Sequence, residues 1–305
     1  MKPQFSIIIL TYNEETHLPR LLESIQGLNC DLYIVDSGSE DRTLDIAGAY
    51  GATITYNAFE NHPKQWHFAL NAFEIKTPWI IGLDADQIIL PELYQKLKKF
   101  RDNEIDSTIK GIYFNRKNYF KGRWLKYGGY FPRYLLKMFR TDVGYSDLNE
   151  NMDHRFVVPG EKLIWKDGYL KEENLKENEI SFWLNKHNRY SDLIAQEEIE
   201  RFKKIRHQNS ANTALFFGTP DERIAFFKKI WWKLPLYWRP AIYFIYRFFF
   251  KLGILDGPEG RMFHFLQGFW FRLIVDEKIS ELKKAEKKTQ KLIQSKKLIS
   301  ITSQE

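Results

Sequence analysis

Three aspartates stand at the ends of short apolar segments, where strands are expected to end. Asp36 ends the segment 31–36, and Asp84 and Asp86 stand one residue apart at the end of the segment 79–84. Two carboxylates this close would normally repel each other, so their pairing favours a divalent cation that bridges them to a phosphate. Mg²⁺ or Mn²⁺ is the natural candidate, because hard cations prefer oxygen ligands. In the alternative structural interpretation, Asp84 caps a turn and Asp86 is solvated.

A second group of polar residues follows the first apolar segment, in the sequence Thr-Tyr-Asn-Glu-Glu at 11–15. Tyr12 offers an aromatic face for a base, and its polar neighbours offer groups for the base and a ribose. An ordinary capped turn into the next helix is the alternative. Asp41 and Thr43 are likewise typical of a helix N-cap. It is the occurrence of three such loops at successive strand ends that favours a ligand site.

Alternating strands and helices must position these loops. The apolar, β-branched segments 5–10, 31–36 and 79–84 are typical of strands that are buried on both faces of a parallel sheet. Between them, apolar residues recur at helical spacing, and Pro91 stands where a first helical turn should begin. This order predicts a doubly wound α/β fold, which binds its ligands at the carboxyl ends of the strands.

The later part of the chain changes in character. The strand-like segments 111–120 and 134–140 predict a mixed continuation of the sheet, and residues from about Glu172 onward have a helical pattern. We predict three regions along the chain: an α/β domain at 1–215, an amphipathic helical region at 216–285 and a polar tail at 286–305.

The helical region combines basic and aromatic side chains. Residues 223–255 contain no acidic residue, and their lysines and arginines are interleaved with Trp, Tyr and Phe. Charges and prolines interrupt the run of about 20 apolar residues that a membrane span requires. The composition is instead typical of helices that lie in the membrane interface. Alternatively, the aromatic residues pack a small helical subdomain.

Composition narrows the class of protein further. A net charge of +7 favours anionic partners, such as nucleic acid, phospholipid head groups or a phosphorylated small molecule. The single cysteine, Cys30, excludes an intrachain disulfide and a zinc site built from thiols. The N-terminus lacks the layout of a signal peptide. We therefore expect a cytoplasmic protein that is peripheral on the inner membrane.

Several motifs resemble those of a known family. The segments ILTYNEE, VDSGSEDRT and LDADQ, at these separations, resemble the nucleotide-binding half of family 2 glycosyltransferases with the GT-A fold. The segments HPKQWHFALN, WLNKHNRYSDLIAQEE and ILDGPEGRMFHFLQGFWFRLIVDEK resemble a bacterial subgroup that includes lipopolysaccharide-core glucosyltransferases and exopolysaccharide transferases. The resemblance extends over most of the chain, to about Lys278.

The resemblance implies roles for individual residues. Tyr12 and Asp36 match positions that contact the nucleobase, and Thr11 and Glu14 match the loop around it. Asp84 matches a contact to the ribose or to a metal-bound water, and Asp86 matches the metal ligand. Gln87 departs from the acidic residue that often follows this motif.

The resemblance also implies a catalytic base in the segment 148–154. An inverting transfer requires a base that takes the proton of the acceptor hydroxyl as it attacks the anomeric carbon. Glu150 is the best match, and Asp153 is the second candidate. His154 is a candidate third metal ligand, although local hydrogen bonding is the alternative for it.

The expected function follows from the resemblance. It implies a metal-dependent, inverting glycosyltransferase that moves a sugar from a nucleotide-sugar, with UDP favoured, to a lipid-linked, lipopolysaccharide or exopolysaccharide acceptor at the inner membrane. A polyprenyl-phosphate acceptor and a catalytically inactive nucleotide-binding membrane scaffold are the alternatives. Nucleic acid is not expected as a partner, because the strand-end carboxylates would repel its phosphates.

Overall fold

The computed structural model describes residues 2–148, 154–205, 218 and 220–302. The chain divides into two compact units. The first comprises Met1–Trp183 and Tyr246–His264, and the second comprises Leu184–Ile245 and Phe265–Glu305. The predicted boundary after residue 215 lies outside the described residues, so the predicted limits of the three regions stay predictions.

The first unit is built around β-strands. In chain order, its strands are β1 (Phe5–Thr11), β2 (Asp31–Asp36), β3 (Thr53–Tyr56), β4 (Trp79–Asp84), β5 (Gln87–Ile89), β6 (Ile109–Phe120), β7 (Arg123–Trp124), β8 (Tyr134–Arg140), β9 (Tyr145–Ser146), β10 (Phe156–Val157) and β11 (Glu161–Glu172). The predicted strands at 31–36, 79–84 and 134–140 have the predicted bounds, and that at 5–10 extends to Thr11.

Helices occupy the connections and the later part of the chain. They are α1 (Leu18–Ile25), α2 (Thr43–Ala49), α3 (His62–Asn71), α4 (Pro91–Lys99), α5 (Ile180–Ile205), α6 (Pro220–Lys233), α7 (Trp238–Ile245), α8 (Gly257–Phe265) and α9 (Phe271–Thr302). Pro91 is the first residue of α4, as predicted. Within the part of the chain that the structure describes, no helix has both the length and the apolar character needed to cross a membrane.

Nine of the described strands form one mixed sheet in the order β3-β2-β1-β4-β8-β6-β11-β5, with β7 paired to β6 outside this path. Strands β3, β2, β1 and β4 are parallel. Strand β8 is antiparallel to β4 and β6, whereas β11 is parallel to β6. Strands β9 and β10 form a separate ribbon. This mixed sheet with its flanking helices confirms the predicted α/β fold of GT-A type.

The centre of the sheet is strongly apolar. Every residue of β1 is buried, as expected for a parallel strand that is covered on both faces. In β4, a Cβ atom at Gly82 would lie 2.4 Å from Cζ of Phe156. Glycine is therefore required at this position, because it leaves room for the Phe156 ring close to the strand.

The second unit contains a buried ion cluster. Arg239, which is fully buried, donates from Nε to Oδ1 of Asp276 at 2.7 Å and from Nη2 to Oε2 of Glu198 at 2.9 Å. His187 packs edge-on against Phe271, with ring centroids 5.2 Å apart. Removing either carboxylate would leave charge uncompensated in the interior, so the cluster fixes how these helices pack.

Candidate functional site

The carboxyl ends of β1, β2, β3 and β4 lie side by side at one edge of the sheet. In the strand register, Thr11 is opposite Asp36, and Asp36 is opposite Tyr56. On the other side of β1, Leu10 is opposite Asp84. The chain continues from β1 to β2 and β3 on one side of β1 and then crosses to β4 on the other side. Such a switch point is where doubly wound folds bind ligands. The structure therefore brings the three predicted loops together.

Asp36 is buried and holds the loop that follows it. Its Oδ1 accepts hydrogen bonds from the backbone nitrogens of Gly38 and Ser39, at 2.8 and 2.7 Å. Its Oδ2 accepts from the hydroxyls of Thr11 and Ser39, at 2.8 and 2.6 Å. These four bonds occupy both carboxylate oxygens. Asp36 and Thr11 thus position the loop after β2, and their contact with a nucleobase stays a prediction.

The loop after β1 is tied to the loop after β2. Asn13 has a φ of 53°, and its backbone nitrogen donates to Oγ of Ser39 at 2.8 Å. The Glu14 carboxylate contacts Nδ1 of His17 and lies 3.3 Å from Nζ of Lys176. Glu14 therefore links its own loop to the segment around Lys176, and its role around a bound ligand stays a prediction.

Two exposed tyrosines flank the Asp36 loop. Tyr12 follows β1 and is 58% exposed, and Tyr56 ends β3 and is 64% exposed. A Cβ atom at Gly38 would lie 3.5 Å from the Tyr56 ring, so this ring lies against the loop. Aromatic faces open to solvent at a sheet edge are suited to stacking on a base.

Asp84 is held by two cationic or potentially cationic groups. Its Oδ2 accepts from Nζ of Lys137 at 2.9 Å, and its Oδ1 lies 3.5 Å from Nε2 of His62. Lys137 itself is 7% exposed and stands on β8, next to β4. Desolvation raises the pKa of Asp84, but the Lys137 ammonium and the His62 hydrogen bond outweigh it and hold that pKa well below its usual range. The Asp84 carboxylate is therefore deprotonated, and the Lys137 ammonium offsets part of its negative charge.

The buried amide of Gln87 explains its departure from the family pattern. Its Oε1 accepts from the backbone nitrogen of Asp84 at 3.2 Å, and its Nε2 donates to Oε2 of Glu172 at 2.8 Å. A carboxylate at this position would face Glu172 with a like charge. Asp86, one residue earlier, is partly buried, and its backbone oxygen accepts from the nitrogen of Glu173 at 3.1 Å.

His154 lies in an aromatic setting close to Asp84. Its ring stacks on Trp66 at 5.3 Å between centroids and meets Phe156 and His62 edge-on, at 4.5 and 5.5 Å. Desolvation, together with the charges of His62 and Lys137, holds the pKa of His154 well below its usual range. Its Nε2 is buried and has no hydrogen-bond partner among the described residues. Its role as a metal ligand stays a prediction, which the unsatisfied nitrogen favours over local hydrogen bonding.

The two candidate bases, Glu150 and Asp153, lie outside the described residues. Their assignment therefore stays a prediction. His154, the next residue along the chain, is described, and its ring lies 5.5 Å from that of His62, which contacts Asp84.

The donor set fits a divalent cation in part. Among the described residues, no three His, Cys, Asp or Glu side chains are grouped so that they could hold a metal ion. Asp84 already contacts Lys137 and His62, which favours a role beside the metal over direct ligation. The predicted direct ligands are then Asp86 and His154, whose Nε2 has no hydrogen-bond partner among the described residues. A ligand diphosphate would add oxygen donors, and ligation by these two residues stays a prediction.

Sequence reasoning missed two residues of this site. Lys137 is a charged residue within the otherwise apolar strand YLLKMFR, and that interruption was the available signal. His62 begins α3, in the segment HPKQWHFALN, whose pattern predicts no role for this histidine. Both contact Asp84, although they are distant from it in sequence.

The strand order and this edge define the class of protein as an α/β fold of GT-A type. Residues 6–154 match the sequence model of the family described as glycosyl transferase family 2. An uncharacterised glycosyltransferase of Rickettsia bellii is 30% identical over 95 residues, which are 31% of this chain and 32% of that protein. These matches support a family 2 glycosyltransferase.

Two further similarities are shorter or weaker. The 4,4'-diaponeurosporenoate glycosyltransferase of Staphylococcus haemolyticus is 36% identical over 63 residues, which are 20% of this chain and 17% of that protein. The crystal structure of S. aureus TarS 1-349 aligns with 93% of this chain and 92% of that chain, with a TM-score of 0.43 and 17% identity. The chain spans about a third of the length of the first curated relatives that it matches.

Proposed function

We propose that this protein is an inverting, metal-dependent glycosyltransferase that uses a nucleotide-sugar, with UDP as the nucleotide. Its acceptor is a lipid-linked, lipopolysaccharide or exopolysaccharide glycan at the cytoplasmic face of the inner membrane. The observation that carries the proposal is the meeting of the Tyr12, Asp36 and Asp84 loops at one switch point of the sheet.

In this proposal the nucleobase of the donor lies beside the exposed tyrosines of the site. Tyr12 and Tyr56 provide exposed ring faces on either side of the Asp36 loop. Asp36 and Thr11 fix that loop through four hydrogen bonds to one carboxylate, so the loop is already ordered before the base binds. A preorganised loop reduces the entropy that binding would otherwise lose.

The diphosphate then lies near the end of β4. Asp86 and His154 are the residues proposed to hold a Mg²⁺ or Mn²⁺ ion, which when bound neutralises charge on the leaving diphosphate. Asp84 stands beside them with Lys137 at 2.9 Å. The Lys137 ammonium reduces the negative charge of the site, which favours the approach of an anionic donor.

Glu150 is proposed as the general base, with Asp153 as the second candidate. The base accepts the proton of the acceptor hydroxyl while that oxygen attacks the anomeric carbon, and the nucleoside diphosphate departs from the opposite face. The support is proximity in sequence, because both candidates are within four residues of His154, whose ring lies 5.5 Å from that of the Asp84 partner His62.

The proposal is tested by the release of nucleoside diphosphate from UDP-, GDP- and dTDP-sugars in the presence of membrane lipid extract and Mn²⁺. We expect UDP release with one UDP-sugar, together with labelled lipid product. Glu150→Gln should remove transfer, and Asp153→Asn should retain it if Glu150 is the base. Binding of UDP without transfer to any acceptor would instead favour the inactive scaffold. Transfer to polyprenyl phosphate alone would select that acceptor class.

A further inference from the structure

The first unit has a pocket whose lining includes neither Asp84 nor its partners Lys137 and His62. Strands β6 and β7 join through a two-residue turn at Lys121 and Gly122, which have φ values of 50° and 76°. Between this hairpin and the start of α8 is a pocket of about 490 Å³. Residues that line this hairpin pocket include Lys121, Arg123, Trp124, Lys126, Tyr127 and Leu255.

The floor of the hairpin pocket is built from a buried carboxylate. Oδ1 of Asp256 accepts from the backbone nitrogens of Lys126 and Tyr127, at 2.9 and 3.0 Å. Its Oδ2 lies 2.7 Å from Nε2 of His264, and both side chains are almost fully buried. Gly128 packs directly against the His264 ring. The pocket is therefore a fixed part of the fold.

The charge of the hairpin pocket is predominantly positive. Arg123 donates from Nε to Oε2 of Glu259 at 2.9 Å, so these two charges offset each other. The Asp256 carboxylate is occupied by backbone nitrogens and His264. The ammonium groups of Lys121 and Lys126 contact aromatic rings and have no carboxylate partner among the described residues. An anionic group would therefore be attracted into this pocket.

An exposed apolar segment adjoins the pocket. Phe250 is 76% exposed and Phe249 is 53% exposed, and Leu255, which lines the pocket, is 57% exposed. We call the exposed apolar residues of this segment the apolar rim: Phe249, Phe250, Leu252, Ile254, Leu255 and Met262. Contiguous exposed apolar residues of this number mark an interaction surface.

We propose that the hairpin pocket binds the phosphate-bearing head group of an anionic lipid while the apolar rim enters the acyl region of the bilayer. A soluble phosphorylated molecule would use the lysines but would leave the rim in water. A lipid satisfies both features, because it carries a charged head group for the pocket and acyl chains for the rim, and Leu255 belongs to both. This inference deepens the proposed function and rests on its membrane-surface acceptor.

The test is cosedimentation of the full chain with phosphatidylcholine vesicles, with and without phosphatidylglycerol. We expect binding to require phosphatidylglycerol and to weaken as salt is raised. Lys121→Gln and Lys126→Gln should each weaken binding roughly fivefold, and Phe249→Ser with Phe250→Ser should weaken it by about tenfold or more. Matching circular dichroism spectra and melting temperatures show that each variant is folded.

Two control variants change the same residue types elsewhere in the first unit. Lys98→Gln with Lys99→Gln removes charge from α4, which contributes no residue to the pocket lining. Phe59→Ser removes a phenylalanine that is 57% exposed outside the rim. Both controls should bind vesicles as the natural sequence does.

The inference is overturned by equal binding to both vesicle types, by pocket and rim variants that match the controls, or by full competition from soluble glycerol phosphate. Self-association through the rim would also overturn it, and would appear as concentration-dependent sedimentation without vesicles. UDP binding by the natural sequence is measured separately without lipid. A protein that binds UDP but not vesicles refutes this inference alone, whereas one that binds vesicles but no nucleotide refutes the proposed function.

Discussion

Nζ of Lys137 lies 2.9 Å from Oδ2 of Asp84, joining the antiparallel neighbours β8 and β4 at the ligand edge of the sheet. The lysine is buried, and the aspartate side chain is 30% exposed. The pair therefore stabilises the edge and moderates the charge of the carboxylate that precedes the proposed metal ligand Asp86.

Removing Lys137 should destabilise the protein. Lys137→Met leaves Asp84 with only His62 as a described ionic partner, so we expect a loss of about 1–3 kcal/mol in the free energy of unfolding. Asp84→Asn in the same background should recover part of that loss, with a coupling of at least about 0.5 kcal/mol in a double-mutant cycle measured by urea unfolding. Simple additivity of the two changes would show that the pair is not coupled.

Tyr12 should contribute to nucleotide affinity through its exposed ring. Tyr12→Ala is expected to weaken UDP binding by about 1–3 kcal/mol, the usual value of one base–aromatic stack. Tyr50→Ala is a matched control, because Tyr50 is also exposed but follows α2 at the opposite end of that helix from the ligand loops. If calorimetry finds the same UDP affinity for both variants, Tyr12 does not contact the nucleobase.

Glu173 should contribute to the loss of folding stability at acid pH. Burial raises its pKa, but hydrogen bonds and charges from Lys171 and Arg20 outweigh burial and leave the pKa below its usual range. Because the folded-state pKa is the lower one, the stabilisation is complete above the unfolded-state pKa of about 4.3 and is lost as pH falls through the folded-state pKa. Glu173→Gln should therefore lower stability at neutral pH and reduce its decline below about pH 5. Parallel pH profiles of melting temperature would contradict this.

Gly128 should be essential for the packing of His264. Its φ is +64°, and an added Cβ would lie 2.1 Å from Cε1 of His264. Gly129 has a similar φ of +76°, but an added Cβ there would be 3.8 Å from its nearest neighbour. Gly128→Ala should therefore destabilise the protein by about 1–3 kcal/mol more than Gly129→Ala, since only the first adds overpacking to backbone strain. Equal losses in thermal unfolding would mean that the His264 contact has no effect.

Much of the fold was predictable from local pattern. The buried strands β1, β2 and β4 are apolar runs, and Leu18, Leu21, Leu22 and Ile25 form the buried face of α1 at the predicted spacing. Strand β11 was not predicted. Charged residues and a register shift between Trp165 and Tyr169 interrupt its pattern, so only its pairing with β6 and β5 defines it as a strand.

The site was predictable where its residues directly follow strands. The sequence alone placed Tyr12, Asp36 and Asp84 at one edge, because the carboxyl ends of parallel strands lie together. It could not pair Asp84 with Lys137, which is 53 residues away and meets it only through the antiparallel register of β4 and β8. Nor could it show that Asp36 accepts three hydrogen bonds from its own loop and a fourth from Thr11, because these bonds depend on the geometry of that loop.

Calorimetric titration with UDP, with and without Mn²⁺, tests the central claim most directly. The natural sequence should bind UDP in the presence of Mn²⁺, and Asp86→Ala should lose this metal-dependent binding while retaining the melting temperature of the natural sequence. Metal-dependent binding that survives in Asp86→Ala would contradict the assigned metal ligand. The absence of UDP binding under both conditions would contradict the UDP donor, and failure of GDP and dTDP as well would contradict the glycosyltransferase proposal.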